Sequence, residues 1–337
     1  MVCHLKKDEF LLLLDNHVEA AAEKIGHIMI MFEAMIGDKY PEVSIKLYSG
    51  IYYLESRGYR PEEIFRIGKT LKNKAKRYYT VDNSIYENRK SAGNVIDKEA
   101  GILSRGNLTR LKNFLNRAAQ GERLTVGFIG GSITQGFAAT EPDKCYAART
   151  VAWLRKVFPN TEFDYVNAGI GATNSQFGAA RVQEDLLCRL PDLVMVEFSV
   201  NDHCTPHDME TYEGLIRQIY GSRSCPAMVL LHSVYYDTGK SAAYYHAQIG
   251  RHYDLPCISM QNSIYPAVAA GRLPAEKITA DFLHPNDLGH EFMASVITNF
   301  LEKVIHDKTQ EQQEIFPAPL TENAYEHCAR LQYFNST

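Results

Sequence analysis

Five short apolar runs, separated by longer amphipathic stretches, constrain the fold of this chain more than any other feature. The runs cover residues 124–130, 162–167, 192–199, 226–232 and 256–260. Helical periodicity occupies the stretches between and after them, at about 144–158, 174–189, 208–221, 240–253 and 287–306. Strands that are apolar on both faces are typical of a parallel sheet covered by helices. The pattern therefore predicts a doubly wound α/β domain with a five-stranded parallel sheet.

The first hundred residues follow a helical pattern instead. Apolar residues recur at steps of three and four from Phe10 to Met35, and Pro41 and Pro61 stand where first-turn prolines open helices. We predict three parts: an all-helical N-terminal domain over 1–100, the α/β domain over 101–306 and a C-terminal tail over 307–337. Two alternatives stay open for the tail: it packs back onto the α/β domain, or it is the stump of a longer chain.

Charge and cysteine usage limit the classes of function. The chain has 18 Lys and Arg against 15 Asp and Glu up to residue 110, and 18 against 25 after it, so no basic surface for nucleic acid is expected. Seven scattered cysteines without a CxxC pair are typical of reduced cytoplasmic thiols. The apolar run from Phe10 to Leu14 is too short for a signal peptide, and no segment is predicted to span a membrane. We expect a cytoplasmic protein.

Three polar segments follow predicted strands at their carboxyl ends, where the sites of α/β sheets form. The first is GGSIT, residues 130–134. A glycine-rich turn between a strand and a helix either binds phosphate or exposes a nucleophilic serine. The segment fits none of the GxGxxG, GxxxxGK[ST] and GxSxG patterns. By itself it is equally consistent with a structural turn.

The other two segments carry groups that hydrolysis can use. Asn201 follows the strand at 192–199, where its amide can donate into a cleft, or it forms an Asn-Asp turn with Asp202. Asp281 and His284 lie three residues apart before the last helix. Such a carboxylate can orient the imidazole as a general base, or the pair simply begins a helix. The chain order Ser, Asp, His is one of those known for hydrolytic triads.

Taken together, four motifs resemble the SGNH, or GDSL-like, serine hydrolase family over about residues 105–306. They are GGSIT at 130–134, NAGIGAT at 167–173, SVND at 199–202 and DFLHP at 281–285. Within the family, the resemblance is nearest to bacterial carbohydrate O-acetyl esterases. It implies a three-layer α/β/α sandwich of the SGNH hydrolase type.

The resemblance also implies roles for individual residues. Ser132 would be the nucleophile, His284 the general base and Asp281 the residue that orients it. The oxyanion hole would use the Ser132 N–H, the N–H of Gly171 or Ala172, and the Asn201 side chain; the family's glycine falls on Ala172, with Gly171 beside it. Two further departures are Gly131 where the family has Asp, and Ser199 where it has Gly.

Other polar residues near the motifs give weaker signals. Candidates for binding substrate are Gln135, Asn174, His203 and Tyr235. His203 and His207 are four residues apart, but Pro206 is expected to break the helix that would align them, and no further ligand cluster is evident. We predict no metal and no cofactor.

The sequence as a whole predicts a serine esterase that hydrolyses short-chain esters through an acyl-enzyme. The expected partner is a small-molecule or oligosaccharide ester, namely an O-acetylated sugar. Two alternatives stay open: a lysophospholipase or thioesterase of the same fold, and a non-catalytic carbohydrate-binding protein. The N-terminal helices could cap the cleft, brace the sheet or form a homo-oligomer interface.

Overall fold

The computed structural model describes residues 2–6, 9–12 and 95–330, and the chain divides into two compact units, 1–94 and 95–337. In the first unit, strand β1 (Val2–Lys6) pairs antiparallel with strand β2 (Glu9–Leu12). The prediction of a helix beginning at Phe10 is therefore wrong, because a continuous apolar run fits a buried strand as well as a helix. The other predicted N-terminal helices lie outside the described residues.

The second unit is built on one mixed sheet of six strands. Its strands are β3 (Ile102–Ser104), β4 (Leu124–Gly130), β5 (Phe163–Gly169), β6 (Leu193–Glu197), β7 (Ala227–His232) and β8 (Cys257–Ser259). The strand order is β3-β8-β7-β6-β4-β5. The five predicted strands are present and parallel, but β3 pairs antiparallel with β8. The prediction of a purely parallel five-stranded sheet is wrong, because a three-residue strand has no periodicity to detect.

Nine helices are described in the second unit. They are α1 (Thr109–Ala119), α2 (Ser132–Gln135), α3 (Tyr146–Val157), α4 (Ser175–Asp185), α5 (Pro206–Tyr220), α6 (Ala243–His252), α7 (Met260–Ser263), α8 (Tyr265–Ala269) and α9 (Asp287–His306). Among the described residues, no helix combines the length and the apolar character needed to cross a membrane.

The helices cover the sheet on both faces and enclose two hydrophobic cores. Along β6, Leu193 and Met195 join the core with α1, α3 and α9, whereas Val194 and Val196 join the core with α4, α5 and α6. All four side chains are fully buried. Because successive strand residues face opposite sides, a strand covered on both faces must be apolar throughout. This explains the unbroken apolar runs in the sequence.

The strand order also fixes where a site can form. From β4 the chain adds β5 on one side of the sheet and then returns to add β6, β7 and β8 on the other. β4 is therefore the point at which the winding direction reverses. In open α/β sheets the crevice at the carboxyl end of such a strand is the usual ligand site. The residues that follow β4 are 131–135, including Ser132.

Within the second unit, the described part of the tail packs back onto the α/β domain. We call residues 307–330 the strap. At its start, the Arg105 guanidinium donates to Asp307 at 2.9 Å and to Glu311 at 3.0 Å. Farther along, the Glu213 carboxylate of α5 accepts from the backbone N–H groups of residues 320 and 321, at 2.6 and 2.7 Å. The strap thus joins α5 to the segment before α1.

The anchoring of the strap is expected to weaken in acid. The hydrogen bond from Arg105, together with Lys112, lowers the pKa of Glu311 from 4.5 to about 2. Such a carboxylate stabilises the fold above its unfolded pKa and loses that effect as pH falls toward 2. Glu311→Gln should lower Tm at pH 7, and most of this difference should be gone at pH 3.

Thermal unfolding of both proteins at several pH values measures the difference. Glu322→Gln, at an exposed glutamate of the same strap, is the matched control and should change Tm little at either pH. A Tm difference for Glu311→Gln that does not depend on pH would contradict the ionic role.

Candidate active site

Ser132 lies at the end of a tight strand–helix turn. It is the first residue of α2, directly after β4, and is 8% exposed. A Cβ on Gly130 would lie 2.4 Å from the Glu197 carbonyl oxygen, and one on Gly131 would lie 2.2 Å from Asn201 Oδ1. Gly130 therefore requires glycine, because the close atom is backbone, whereas a side chain at Gly131 would displace the end of the Asn201 side chain.

Three side chains form a continuous hydrogen-bonded relay. Ser132 Oγ lies 2.9 Å from His284 Nε2, and His284 Nδ1 lies 2.7 Å from Asp281 Oδ2. Asp281 Oδ1 also accepts from the backbone N–H groups of Leu283 and His284, at 3.2 and 2.7 Å. The structure therefore brings together the three residues that the motifs single out. The arrangement has the geometry of a nucleophile, a base and an orienting acid.

The charge on Asp281 is favoured by its surroundings. Partial burial would raise the pKa of this carboxyl, but the hydrogen bonds from His284 and Leu283 outweigh it, and the pKa lies below its ordinary value. An ionised Asp281 accepts from Nδ1–H of His284, which leaves Nε2 as the acceptor that faces Ser132. Asp281 thereby selects the imidazole tautomer that can take a proton from the hydroxyl.

Two loops flank Ser132 with possible oxyanion donors. The Asn201 amide lies against Gly131, as the close approach of its oxygen shows. A Cβ on Gly171 would lie 3.8 Å from the Ser132 Cβ. Ala172, where the family's glycine falls, has a φ of +57°, in the left-handed region that favours glycine. Gly171 is thus the residue of this loop that the geometry places beside the nucleophile.

The N–H of Gly171 already has a partner in this structure. It donates to Gln135 Oε1 at 2.9 Å. Gln135 ends α2, three residues after Ser132, so its side chain reaches back to the neighbouring loop. The predicted substrate-binding residue Gln135 therefore bonds the loop beside Ser132.

The other three predicted substrate-binding residues have different surroundings. Asn174 caps α4, since its side chain accepts from the Phe177 N–H at 3.2 Å. His203 is exposed. Tyr235 is half-buried and packs against the hydrophobic core. The structure gives these three no shared arrangement around Ser132.

The pair of histidines considered for a metal also has other neighbours. Pro206 is the first residue of α5 and Thr205 is its cap, so His203 lies outside the helix and only His207 is in it, and no helix aligns the two. His207 lies 3.2 Å from Gln176 Oε1 through its Nε2. In the part of the chain that the structure describes, no three His, Cys, Asp or Glu side chains are arranged to hold a metal ion.

The segment that holds these residues matches a known family. Residues 128–292 match the model of the GDSL-like lipase/acylhydrolase family. This segment, called the GDSL-like domain below, is similar to that family. The resemblance drawn from the four sequence motifs is confirmed.

Two solved structures are also similar to this chain. Both are described as a two-domain esterase (CEX) active on acetylated mannans, one of them co-crystallized with mannopentaose. They are 52% identical to this chain and cover 70% and 72% of it, with TM-scores of 0.68 and 0.70. The chain spans 63% and 65% of the two esterase chains, which is less than two thirds of their length.

A third solved structure is more distant. It is a variant of an acetyl xylan esterase from Geobacillus stearothermophilus, 21% identical, covering 53% of this chain and 94% of that one, with a TM-score of 0.46. No curated protein matches the chain.

The GDSL-like domain also contains a buried contact that the sequence did not reveal. Asp202 accepts from the Ser175 N–H at 2.8 Å and lies 2.9 Å from His246 Nε2. His246 in turn stacks on Tyr212, with ring centroids 3.6 Å apart. Asp202 follows Asn201, and Ser175 opens the helix after the Gly171 loop. Asp202 therefore links the two loops that flank Ser132.

The contacts of Ser199 account for one departure from the family pattern, a serine where the family has glycine. Its hydroxyl donates to Glu197 Oε1 at 2.8 Å and accepts from the Ser233 N–H at 2.7 Å. Glu197 is fully buried, and burial raises its pKa to about 7. The serine therefore connects the Asn201 loop to the loop after β7. A glycine could not make these bonds.

We expect Asp202→Asn to lower kcat for ester hydrolysis, on the order of 10- to 10²-fold, with KM little changed. The amide oxygen can still accept from the Ser175 N–H, but the amide N–H then faces His246 Nε2, so this imidazole must carry its proton on Nδ1, which has no hydrogen-bond partner in the described structure. We expect the flanking loops to shift as a result, and small misplacements of catalytic groups are costly. Initial rates over a range of substrate concentrations separate kcat from KM.

Asp208→Asn is the matched control for Asp202→Asn. Asp208 is buried to the same degree, but its carboxylate accepts from the Thr205 hydroxyl at the start of α5. Both variants should lower Tm, and only Asp202→Asn should lower kcat. Equal losses of kcat would show that Asp202 acts through stability alone.

Proposed function

We propose that this chain is a serine esterase that removes short acyl groups, above all acetyl, from O-acetylated sugars or oligosaccharides. The observation that carries the proposal is the relay from Ser132 through His284 to Asp281, with Gly171 and Asn201 beside the nucleophile. The substrate class is supported by the two similar structures, which are described as esterases active on acetylated mannans.

The first half of the proposed reaction forms an acyl-enzyme. Ser132 Oγ attacks the ester carbonyl carbon while His284 Nε2 takes the hydroxyl proton. Negative charge develops on the carbonyl oxygen, and we assign the Ser132 and Gly171 N–H groups and the Asn201 side-chain N–H as its donors. Because Gly171 is bonded to Gln135 in the free protein, Gln135 must release it for this donor to act. His284 then returns the proton to the departing sugar oxygen.

The second half repeats these steps with water. His284 takes a proton from water, which attacks the acyl carbon, and the Ser132 oxygen leaves with the proton returned by His284. Asp281 remains ionised and stabilises the imidazolium that forms in each half. In both halves of the reaction, His284 is therefore the residue that takes the proton and returns it.

The acyl group is expected to be short. The value of kcat/KM should be highest for acetyl esters and should fall steeply by butyryl or hexanoyl, because the residues near Ser132 in the sequence motifs, such as Thr134 and Thr173, are mostly small or polar. Ile129, Ile133 and Phe198 are fully buried in close-packed cores. Each methylene of a longer acyl chain would then stay in water and forgo about 0.8 kcal/mol of transfer free energy.

A panel of esters of one alcohol, from acetyl to octanoyl, measures this preference. Acetate release from acetylated mannooligosaccharides tests the substrate class directly. A kcat/KM that rises toward octanoyl would favour the lysophospholipase or thioesterase alternative. Absence of turnover on every ester would favour a non-catalytic binding protein. The cytoplasmic location and the homo-oligomer remain predictions, open to cell fractionation and light scattering of the full chain.

A further inference from the structure

Phe137 is a large apolar side chain that stays exposed beside the relay. Its ring is 55% exposed, although aromatic side chains gain most from burial. It packs against His284, with ring centroids 4.5 Å apart and an angle of 58° between the planes. None of the four sequence motifs includes Phe137.

The backbone around Phe137 is held firmly in an unusual conformation. Its N–H donates to the Ser132 carbonyl at 3.0 Å, and its carbonyl accepts from His290 Nε2 at 3.4 Å. The residues on either side, Gly136 and Ala138, have φ values of +95° and +68°. This region favours glycine, so Ala138 adopts it at a cost in free energy. The strained position is therefore next to the residue whose ring contacts His284.

The proposed chemistry determines which part of the substrate meets this ring. His284 Nε2 must return its proton to the departing alcohol oxygen, so the alcohol has to lie against the edge of the imidazole. In the proposed mechanism the carbonyl oxygen of the ester points the other way, toward Gly171 and Asn201. An exposed ring packed on His284 therefore faces the alcohol portion of the ester.

We propose that Phe137 determines specificity for the leaving group by stacking against a pyranose ring. The inference rests on the proposed function and adds a binding surface for the sugar. The ring face of phenylalanine carries partial negative charge and attracts C–H groups, which one face of a pyranose presents together. A small alkyl alcohol has no such face to offer.

The test compares two substrates, an acetylated mannooligosaccharide and ethyl acetate, in the full chain. Phe137→Ala should lower the ratio of their kcat/KM values by about five- to ten-fold, the range that one aromatic contact supports. The loss should appear as a higher KM for the oligosaccharide. Phe137→Tyr keeps the ring and should restore most of the ratio.

Phe316→Ala is the matched control. Phe316 is 43% exposed and stacks on Tyr220, away from the relay, so this variant should leave the ratio unchanged. An unchanged ratio in Phe137→Ala would overturn the inference, and so would equal losses on both substrates, which would mean that the ring only supports His284. A wild-type chain that cleaves ethyl acetate but not the oligosaccharide would instead refute the substrate class of the proposed function.

Discussion

Replacing Ser132 by Ala should lower kcat for acetyl ester hydrolysis by a factor on the order of 10⁴ or more, which is the effect of removing a nucleophile whose partners act as a unit. The substitution removes one hydroxyl, whose described contact is His284 Nε2 at 2.9 Å. It creates no large cavity, so Tm should change little. Acetate release over time and thermal unfolding measure the two effects separately.

Ser295→Ala provides the matched control for the nucleophile. Ser295 lies in α9, where its hydroxyl donates to the Phe292 carbonyl at 2.8 Å, away from the relay. The control should keep wild-type kcat. If Ser132→Ala also kept it, the nucleophile would have to be another residue and the proposed mechanism would fall.

Asn201→Ala should lower kcat by roughly 10²–10³-fold, the loss typical of one side-chain donor in an oxyanion hole. KM should change little, because the donor acts mainly on charge that develops in the transition state. The contact with Gly131 places this amide beside the nucleophile turn. Steady-state kinetics on an acetyl ester measure both parameters.

A second variant distinguishes the loss of the N–H donor from the loss of side-chain volume. Asn201→Asp retains the shape of the side chain but puts a carboxylate where negative charge has to develop, so kcat should fall at least as far as in Asn201→Ala. A near-normal kcat in either variant would remove Asn201 from the oxyanion hole.

The sheet could be predicted from sequence because burial on both faces leaves an unbroken apolar run. The run predicted at 124–130 coincides with β4, and the helix predicted at 287–306 coincides with α9. The two errors involve short or ambiguous segments. β3 has only three residues, and the apolar stretch that includes β2 fits two periodicities.

The candidate relay could be predicted for a different reason, since its members lie in compact motifs in a recognisable order. The contacts around it could not. Asp202 and His246 are 44 positions apart, and Gln135 and Gly171 are 36 apart, with no spacing rule to join them. Such pairs are set by which loops meet at the carboxyl end of the sheet, and that depends on the strand order.

The strap has a consequence for the order in which the chain is assembled on the ribosome. Arg105 bonds partners 202 and 206 positions later in the chain. At typical rates of synthesis, roughly 10–40 s separate the emergence of the two sides. During that interval the cations near α1 remain solvated, which costs little. The sheet and its two cores can close first, and the strap then binds to α1 and α5 that are already in place.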